Sequence, residues 1–377
     1  MARDTIQLTS EDHLRLSVLM AQAEAVRIDE SSLRVYGLIG GESREVQLHP
    51  NCPEYRYLQG VRHLLAEIVL GQPWGFPTFI HRWTRTGTLG SIRDQRNLLK
   101  LGEPEAVKAL AASAELAPEL YELVWWAQPT AETARTLLAQ PGGMPVELGR
   151  ELAAYLVEHL PFETDPVEEM EAVRQVAAPG LLDEPTRRSL WKRRERKPQY
   201  RVGFLRAAGE PLLDPEPAHP GLASLRARLC PVCQGGNAVA RSLHRLLDSG
   251  GQTFLREAEL ALLSPGDQEI FSAAVNRVGE FVDLPLCPRE REMTALLAAA
   301  EERLEREPEV RTLLAAEPSL EPMIRALLVL GGASERLFYH LFSRTTATGS
   351  LLRRKLDPLT EPLRAHMAEL RPQAFTR

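Results

Sequence analysis

Between Leu98 and about Lys197, proline recurs at Pro104, Pro118, Pro129, Pro145, Pro166 and Pro185, and a short amphipathic stretch follows each one. Proline fixes φ and lacks an amide hydrogen, so it suits the first turn of a helix and is disfavoured in helix interiors and central strands. Prolines spaced in this way rule out long uninterrupted elements and give no room for a sheet. They predict a run of short helices, each started by its own proline. The apolar sets Leu120-Leu123-Val124, Leu137-Leu138, Leu152-Tyr155-Leu156 and Val167-Met170-Val173 would pair such helices antiparallel, as in an irregular α-solenoid or helical bundle.

The residues before this run follow a different period. Thr9-Ser10-Glu11-Asp12 offers capping oxygens ahead of Leu14, Leu16, Val18, Leu19 and Met20, which predicts a short first helix. Ala25-Val26-Arg27-Ile28, Leu33-Arg34-Val35-Tyr36 and Glu45-Val46-Gln47-Leu48 then alternate with turn-forming stretches between them, the signature of a small antiparallel meander. A helix from about Glu54 carries Leu58, Val61, Leu65, Ile68 and Val69 at helical spacing and stops at Gly71 and Pro73; Phe76 to Trp83 suggests one more strand. After the proline-led helices, Gly209, Pro211, Pro215, Pro217, Pro220 and Gly221 break the rhythm, and helical patterning resumes at Asn237. The predicted fold is mainly α, with a small N-terminal α/β domain (antiparallel meander plus helices) followed by an irregular α-solenoid or helical-bundle region. Its divisions fall at 1–95 for the α/β head, 96–200 for the helical hairpins, 201–236 for a Pro/Gly-rich linker or long loop, and 237–377 for the C-terminal helices.

Composition narrows the function classes. The chain has 377 residues, enough for two or three domains, and a formal net charge of -6, so nucleic acid or an anionic membrane could be attracted only by a local patch. No apolar run is long enough to span a bilayer, and the first residues lack a secretory pattern, so a cytoplasmic protein without membrane insertion is expected. Four cysteines in so long a chain do not form a disulfide framework.

The most specific local signal is Cys230-Pro231-Val232-Cys233, whose sulfurs could form a redox pair or hold half of a tetrahedral metal site. Asn237 is placed to cap the next helix, whose positive end could lower a thiol pKa. No strand–helix–strand pattern frames the pair as in a thioredoxin, and no second Cys-x-x-Cys completes a zinc site. Further ligands would come from Cys287, Cys52, His219 or His244. Two small side chains in a connecting segment remain the more economical interpretation.

A basic run follows at Arg187, Arg188, Lys192, Arg193, Arg194, Arg196 and Lys197, interrupted by Trp191 and Glu195 and followed by Tyr200 and Arg201. It could meet phosphates or stack on bases, but Leu190 and Trp191 at helical spacing form a buried stripe and leave the cations on a solvated face. An acidic protein partner suits that face as well as a nucleic acid does. Trp125-Trp126 and Leu337-Phe338-Leu341-Phe342 are expected to pack helices. The common nucleotide-binding and hydrolase motifs are absent, and neither catalytic residues nor a cofactor can be assigned.

Several strings, most of them in the first half, resemble the DsrS family, accessory sulfur-reduction proteins of the dissimilatory sulfite reductase clusters in sulfur-oxidising bacteria. They are Arg27-Ile28-Asp29-Glu30, Val35-Tyr36-Gly37-Leu38, Arg82-Trp83-Thr84-Arg85, Leu101-Gly102-Glu103-Pro104-Glu105-Ala106-Val107, the stretch from Trp125 to Glu132, and Val157-Glu158-His159-Leu160-Pro161-Phe162-Glu163. The resemblance implies a cytoplasmic protein acting beside the siroheme reductase and its sulfur carriers, and it supplies no reacting residues. Three functions are therefore in view. They are a non-catalytic accessory protein working through protein contacts, a thiol or persulfide carrier using Cys230 and Cys233, and a nucleic-acid-binding regulator using the Arg187–Lys197 run.

Overall fold

A computed structural model describes residues 8–71, 91–113, 115–140, 142–207, 209, 211–226, 236–342 and 349–372. The strand expected over Phe76 to Trp83 and the Cys230–Cys233 pair lie outside the described residues. The protein is mainly α with a small α/β part, and it divides into two compact units, Met1–His159 and Leu160–Arg377.

In the first unit, α1 (Ser10–Gln22) is followed by β1 (Ala25–Asp29), β2 (Arg34–Ile39) and β3 (Glu42–Gln47), then by α2 (Glu54–Leu70). The strands form the expected antiparallel meander in the order β1-β2-β3, with Val26 opposite Gly37 and Val35 opposite Val46. Gly40 and Gly41, at φ +57° and +83°, turn β2 into β3 in the left-handed conformation that a two-residue hairpin needs. Val26, Val35 and Val46 face Leu16, Leu19 and Met20 of α1 and Tyr57, Leu58, Val61 and Leu65 of α2 in one core.

The helical spacing was only partly a guide to that core. Leu14 and Val18 of α1 are 65% and 56% exposed, whereas Asp12, one turn before Leu16, is fully buried. On α2, Ile68 is exposed, and Tyr57 and Leu64 take the buried positions instead.

The chain continues with α3 (Ile92–Leu99), α4 (Pro104–Ala111), α5 (Tyr121–Ala127), α6 (Ala131–Leu138) and α7 (Val146–His159). These are short helices of the predicted kind, with Pro104 in the first turn of α4 and Pro118 opening a 3-10 turn before α5. Helix α6 instead starts at Ala131, capped by the Thr130 side chain. A division near residue 95 does not coincide with the compact units, because α3 and α5 pack on β1. Arg27 of β1 lies over the rings of both Tyr36 and Trp126, at 5.0 and 4.8 Å, and donates from Nη1 to the Trp126 carbonyl oxygen at 3.3 Å. Trp125 and Trp126 are packing residues, as expected; Trp125 Nε1 donates to Glu151 at 2.8 Å.

The second unit contains α8 (Pro166–Val176), α9 (Glu184–Arg193), α10 (Pro198–Arg206), α11 (Ala238–Leu247), α12 (Ser249–Leu263) and α13 (Gln268–Val282). These are followed by α14 (Met293–Arg306), α15 (Pro308–Ala316), α16 (Glu321–Gly331) and α17 (Gly349–Glu369). One apolar core runs through this unit, and the Leu337–Phe342 stretch joins it, with Phe271 and Phe338 edge to face at 4.7 Å. Helix α10 occupies the start of the segment read as linker or loop, because Tyr200, Val202, Phe204 and Leu205 are buried. Where α13 passes the end of α16, a Cβ on Gly279 would stand 2.3 Å from the Ala333 carbonyl oxygen, so only glycine permits that approach.

Candidate functional site

The basic run spans the end of α9, the turn after it and the start of α10. Leu190 and Trp191 are 1% and 2% exposed, which confirms them as the buried stripe. Trp191 packs edge to face on Phe204 at 5.0 Å, and its indole N–H donates to Asp214 Oδ2 at 2.7 Å. This anchoring sets where every cation of the run can reach.

Most of those cations are committed to the fold. Arg194 lies over the Trp191 ring at 3.9 Å and approaches Glu257 Oε2 at 3.3 Å and Asp214 at 3.5 Å. Arg187 donates to the Pro211 carbonyl oxygen at 2.7 Å, and Arg188 pairs with Glu184 at 2.7 Å. Lys197 pairs with Glu169, a carboxylate 3% exposed, and lies over the Tyr200 ring. By contrast, the side chains of Lys192, Arg193 and Arg196 are exposed and have no partner among the described residues. The single basic patch read from the sequence is therefore two sets, one structural and one presented to solvent. Lys192 and Arg193 also occupy the last turn of α9, where cations complement the helix dipole.

Beneath this corner lies a cluster of charged side chains. Glu257, on α12 and 1% exposed, accepts from Arg201 Nε at 2.9 Å, from Arg194 Nε at 3.3 Å and from Arg256 Nε at 3.1 Å. Arg256 also pairs with Glu216 and donates to the Asp214 carbonyl oxygen at 3.1 Å. Three guanidinium groups thus face three carboxylates, those of Asp214, Glu216 and Glu257. Burial of any one of these charges alone would be prohibitive; the balanced set is tolerable. Its effect is to tie α9, α10, α12 and the 214–216 segment together, which holds the exposed trio on a fixed base.

The need for partners at Glu257 is visible in the sequence itself. It lies on the apolar stripe of α12, with Phe254, Leu255, Ala258, Ala261 and Leu262 buried around it, and a glutamate on such a stripe must find cations.

The start of α11, the helix that follows Cys230 and Cys233 in the sequence, carries two caps. Asn237 caps that helix as expected, accepting from the Ala240 N–H at 2.9 Å. Glu309, however, accepts from the Ala238 N–H at 2.8 Å, so a carboxylate already neutralises the positive helix end that was to lower a thiol pKa. Cys287 is buried in the core of the second unit, Cys52 belongs to the first, and His219 Nδ1 accepts from the Gly221 N–H at 3.1 Å. Among the described residues no group of three His, Cys, Asp or Glu side chains is arranged to hold a metal ion.

Burial pushes the Cys287 thiol up to about 12, with Arg303 opposing the shift. Native protein treated with N-ethylmaleimide at pH 7.5 is expected to leave Cys287 unmodified while Cys52 reacts, as read by peptide mass mapping. Against an ordinary thiol of pKa about 8.5, the thiolate population falls by roughly a thousandfold or more. Rapid Cys287 labelling without unfolding would contradict its assignment as a core residue.

Among the described residues no helix is long and apolar enough to cross a membrane. Protein-family models, curated proteins and solved structures contain no match to this chain.

Proposed function

We propose that this chain is a non-catalytic accessory protein of cytoplasmic dissimilatory sulfur oxidation, acting by presenting the basic corner at the end of α9 to an acidic face of a partner protein. The resemblance to the DsrS family supplies the pathway. The mode of action rests on one observation: Lys192, Arg193 and Arg196 are exposed and unpaired on a base whose other cations are engaged. A rigid base spares the ordering cost that a flexible basic segment would incur on binding. The formal charge of -6 on the whole chain disfavours a nucleic acid over a protein with a local acidic patch. A carrier role for Cys230 and Cys233 has less support, because Glu309 occupies the helix end that would activate them.

The expected result is that chain purified from its native cells at low salt brings down the sulfite reductase or its sulfur-carrier proteins. A variant with Lys192→Glu, Arg193→Glu and Arg196→Glu should bind that partner at least tenfold more weakly, about 1.4 kcal/mol or more. The same variant should stay folded and lose about 1 to 2 kcal/mol of stability, because Lys192→Glu and Arg193→Glu set acidic groups against the dipole at the end of α9 while the exposed side chains otherwise contribute little. Recovery of no pathway protein, together with unimpaired sulfur oxidation in cells lacking the chain, would defeat the proposal.

A further inference from the structure

Helices α10, α11, α12 and α13 border a solvent-open cavity of about 260 Å³ in the second unit, lined by Arg245 and Arg277 and by the rings of Phe254 and Phe281. The two rings are stacked, nearly parallel, with centroids 3.7 Å apart. Both guanidinium groups lie 5.7 Å from the Phe281 centroid, and Arg277 is also 5.9 Å from that of Phe254. Two cations are thereby drawn to one aromatic floor, each bonded there to a backbone oxygen. Arg245 Nη2 donates to Val282 at 2.8 Å, and Arg277 Nε donates to Leu205 at 2.7 Å.

The charges of the lining do not balance. Arg245 is exposed and in no ion pair among the described residues, and Arg277 has one long ion pair, to Glu280 at 3.7 Å, a carboxylate half in solvent. Asp248 also lines the cavity, but its Oδ1 accepts from the Gly251 N–H at 2.8 Å and is engaged in capping α12. One further negative charge would satisfy the pair of guanidinium groups, which form strong, directional bonds to carboxylate or phosphate oxygens.

We propose that this cavity binds a small organic anion, a carboxylate or phosphate head on a flat apolar body, with Arg245 and Arg277 holding the head and the Phe254–Phe281 pair, with Leu205 and Leu212, receiving the body. The volume lies just under the roughly 300 Å³ at which small-molecule sites begin, so the ligand is of metabolite size rather than a dinucleotide. Burial lowers the proton affinity of Arg277, Glu280 opposes that shift, and the nearby Arg206 and Arg245 charges add to it, a repulsion that a bound anion relieves. Arg206 itself is paired with Glu171 and is not available to the ligand.

Phenyl phosphate, benzoate and inorganic phosphate are the probes, titrated calorimetrically into the whole protein at low salt. Saturable binding of phenyl phosphate or benzoate, at least tenfold tighter than inorganic phosphate, is expected. Arg245→Gln should weaken it tenfold or more. Gly250→Leu should do the same with both arginines intact, since a Cβ there meets only the Asp248 Oδ1, at 3.4 Å, and the added side chain can fill the cavity mouth. Unliganded melting curves and near-ultraviolet dichroism of both variants verify that each is folded. Absence of saturable binding to the native protein, equal affinity for inorganic phosphate, or native-like binding by a folded Gly250→Leu variant would overturn the proposal.

Discussion

Replacing Glu257 by alanine is expected to destabilise the second unit by about 3 to 5 kcal/mol, the loss that follows when one partner of a buried ion-pair network is removed and the others are left uncompensated. The carboxylate is 1% exposed and receives Arg194, Arg201 and Arg256 together. Without it, Asp214 and Glu216 are left to three guanidinium groups, and Arg201 retains no carboxylate partner. For a unit of this size the loss corresponds to a fall in melting midpoint of about 6 to 20 °C. Glu257→Gln, which preserves the volume and an acceptor oxygen, should lose less.

The informative control is Glu184→Ala. Its partner Arg188 belongs to the same basic run, but both side chains are more than half exposed. Such a surface pair contributes about 0 to 1 kcal/mol, so urea unfolding should separate the two variants clearly. Equal midpoints for Glu257→Ala and the native protein would mean that the three arginines find water or other partners, and that the exposed trio has no rigid base. The two outcomes therefore bear on the proposed docking corner as well as on stability.

The contrast between Glu257 and the prolines explains which parts of this protein could be read from its sequence. Pro104, Pro166 and Pro185 act through their own backbone, and each sits in the first turn of a helix as expected. The meander was legible for the same reason, since Gly40-Gly41 and the alternation of Val35 and Val46 are local signals. The partners of Glu257 are 1, 56 and 63 residues away, and no local rule selects those arginines from the others of the run. The division of that run into engaged and free cations depends on Glu169 and Glu257, which reach it from other helices. Likewise Arg245 and Arg277 meet only because α11 and α13 pack around one phenylalanine pair.

Asp12 shows the same effect within the first unit and gives the second large expected change. The sequence offered it as one of several capping oxygens, but Thr9 is the cap, accepting from the Asp12 N–H at 3.2 Å. The Asp12 carboxylate turns inward. Its Oδ2 accepts from the Tyr57 hydroxyl at 2.6 Å and from the His49 N–H at 2.7 Å, and its Oδ1 lies 3.1 Å from His49 Nδ1. One buried charge thus joins α1, α2 and the segment after β3. Asp12→Ala leaves the Tyr57 hydroxyl with only Thr9 and strands the His49 amide, a loss of about 3 kcal/mol for hydrogen bonds to a charged group.

Acid should reveal the same carboxylate. Burial raises its pKa, but the bonds from Tyr57 and His49 outweigh burial and hold it below its ordinary value of 3.8. A depressed folded value means that the unfolded chain takes up the proton first as pH falls. The stabilisation from Asp12 is therefore complete above about pH 4 and is lost as pH drops through the folded value. Asp12→Asn carries no such proton. It should be less stable than the native protein at pH 7 by about 2 to 3 kcal/mol, because its amide presents donors to donors, and the difference should shrink as pH falls below 4. Amide hydrogen exchange of α1 and β3, followed from pH 7 to 2.5, measures this unit directly. A gap between the two proteins that stays constant over that range would show that the Asp12 carboxylate is not held ionised by Tyr57 and His49.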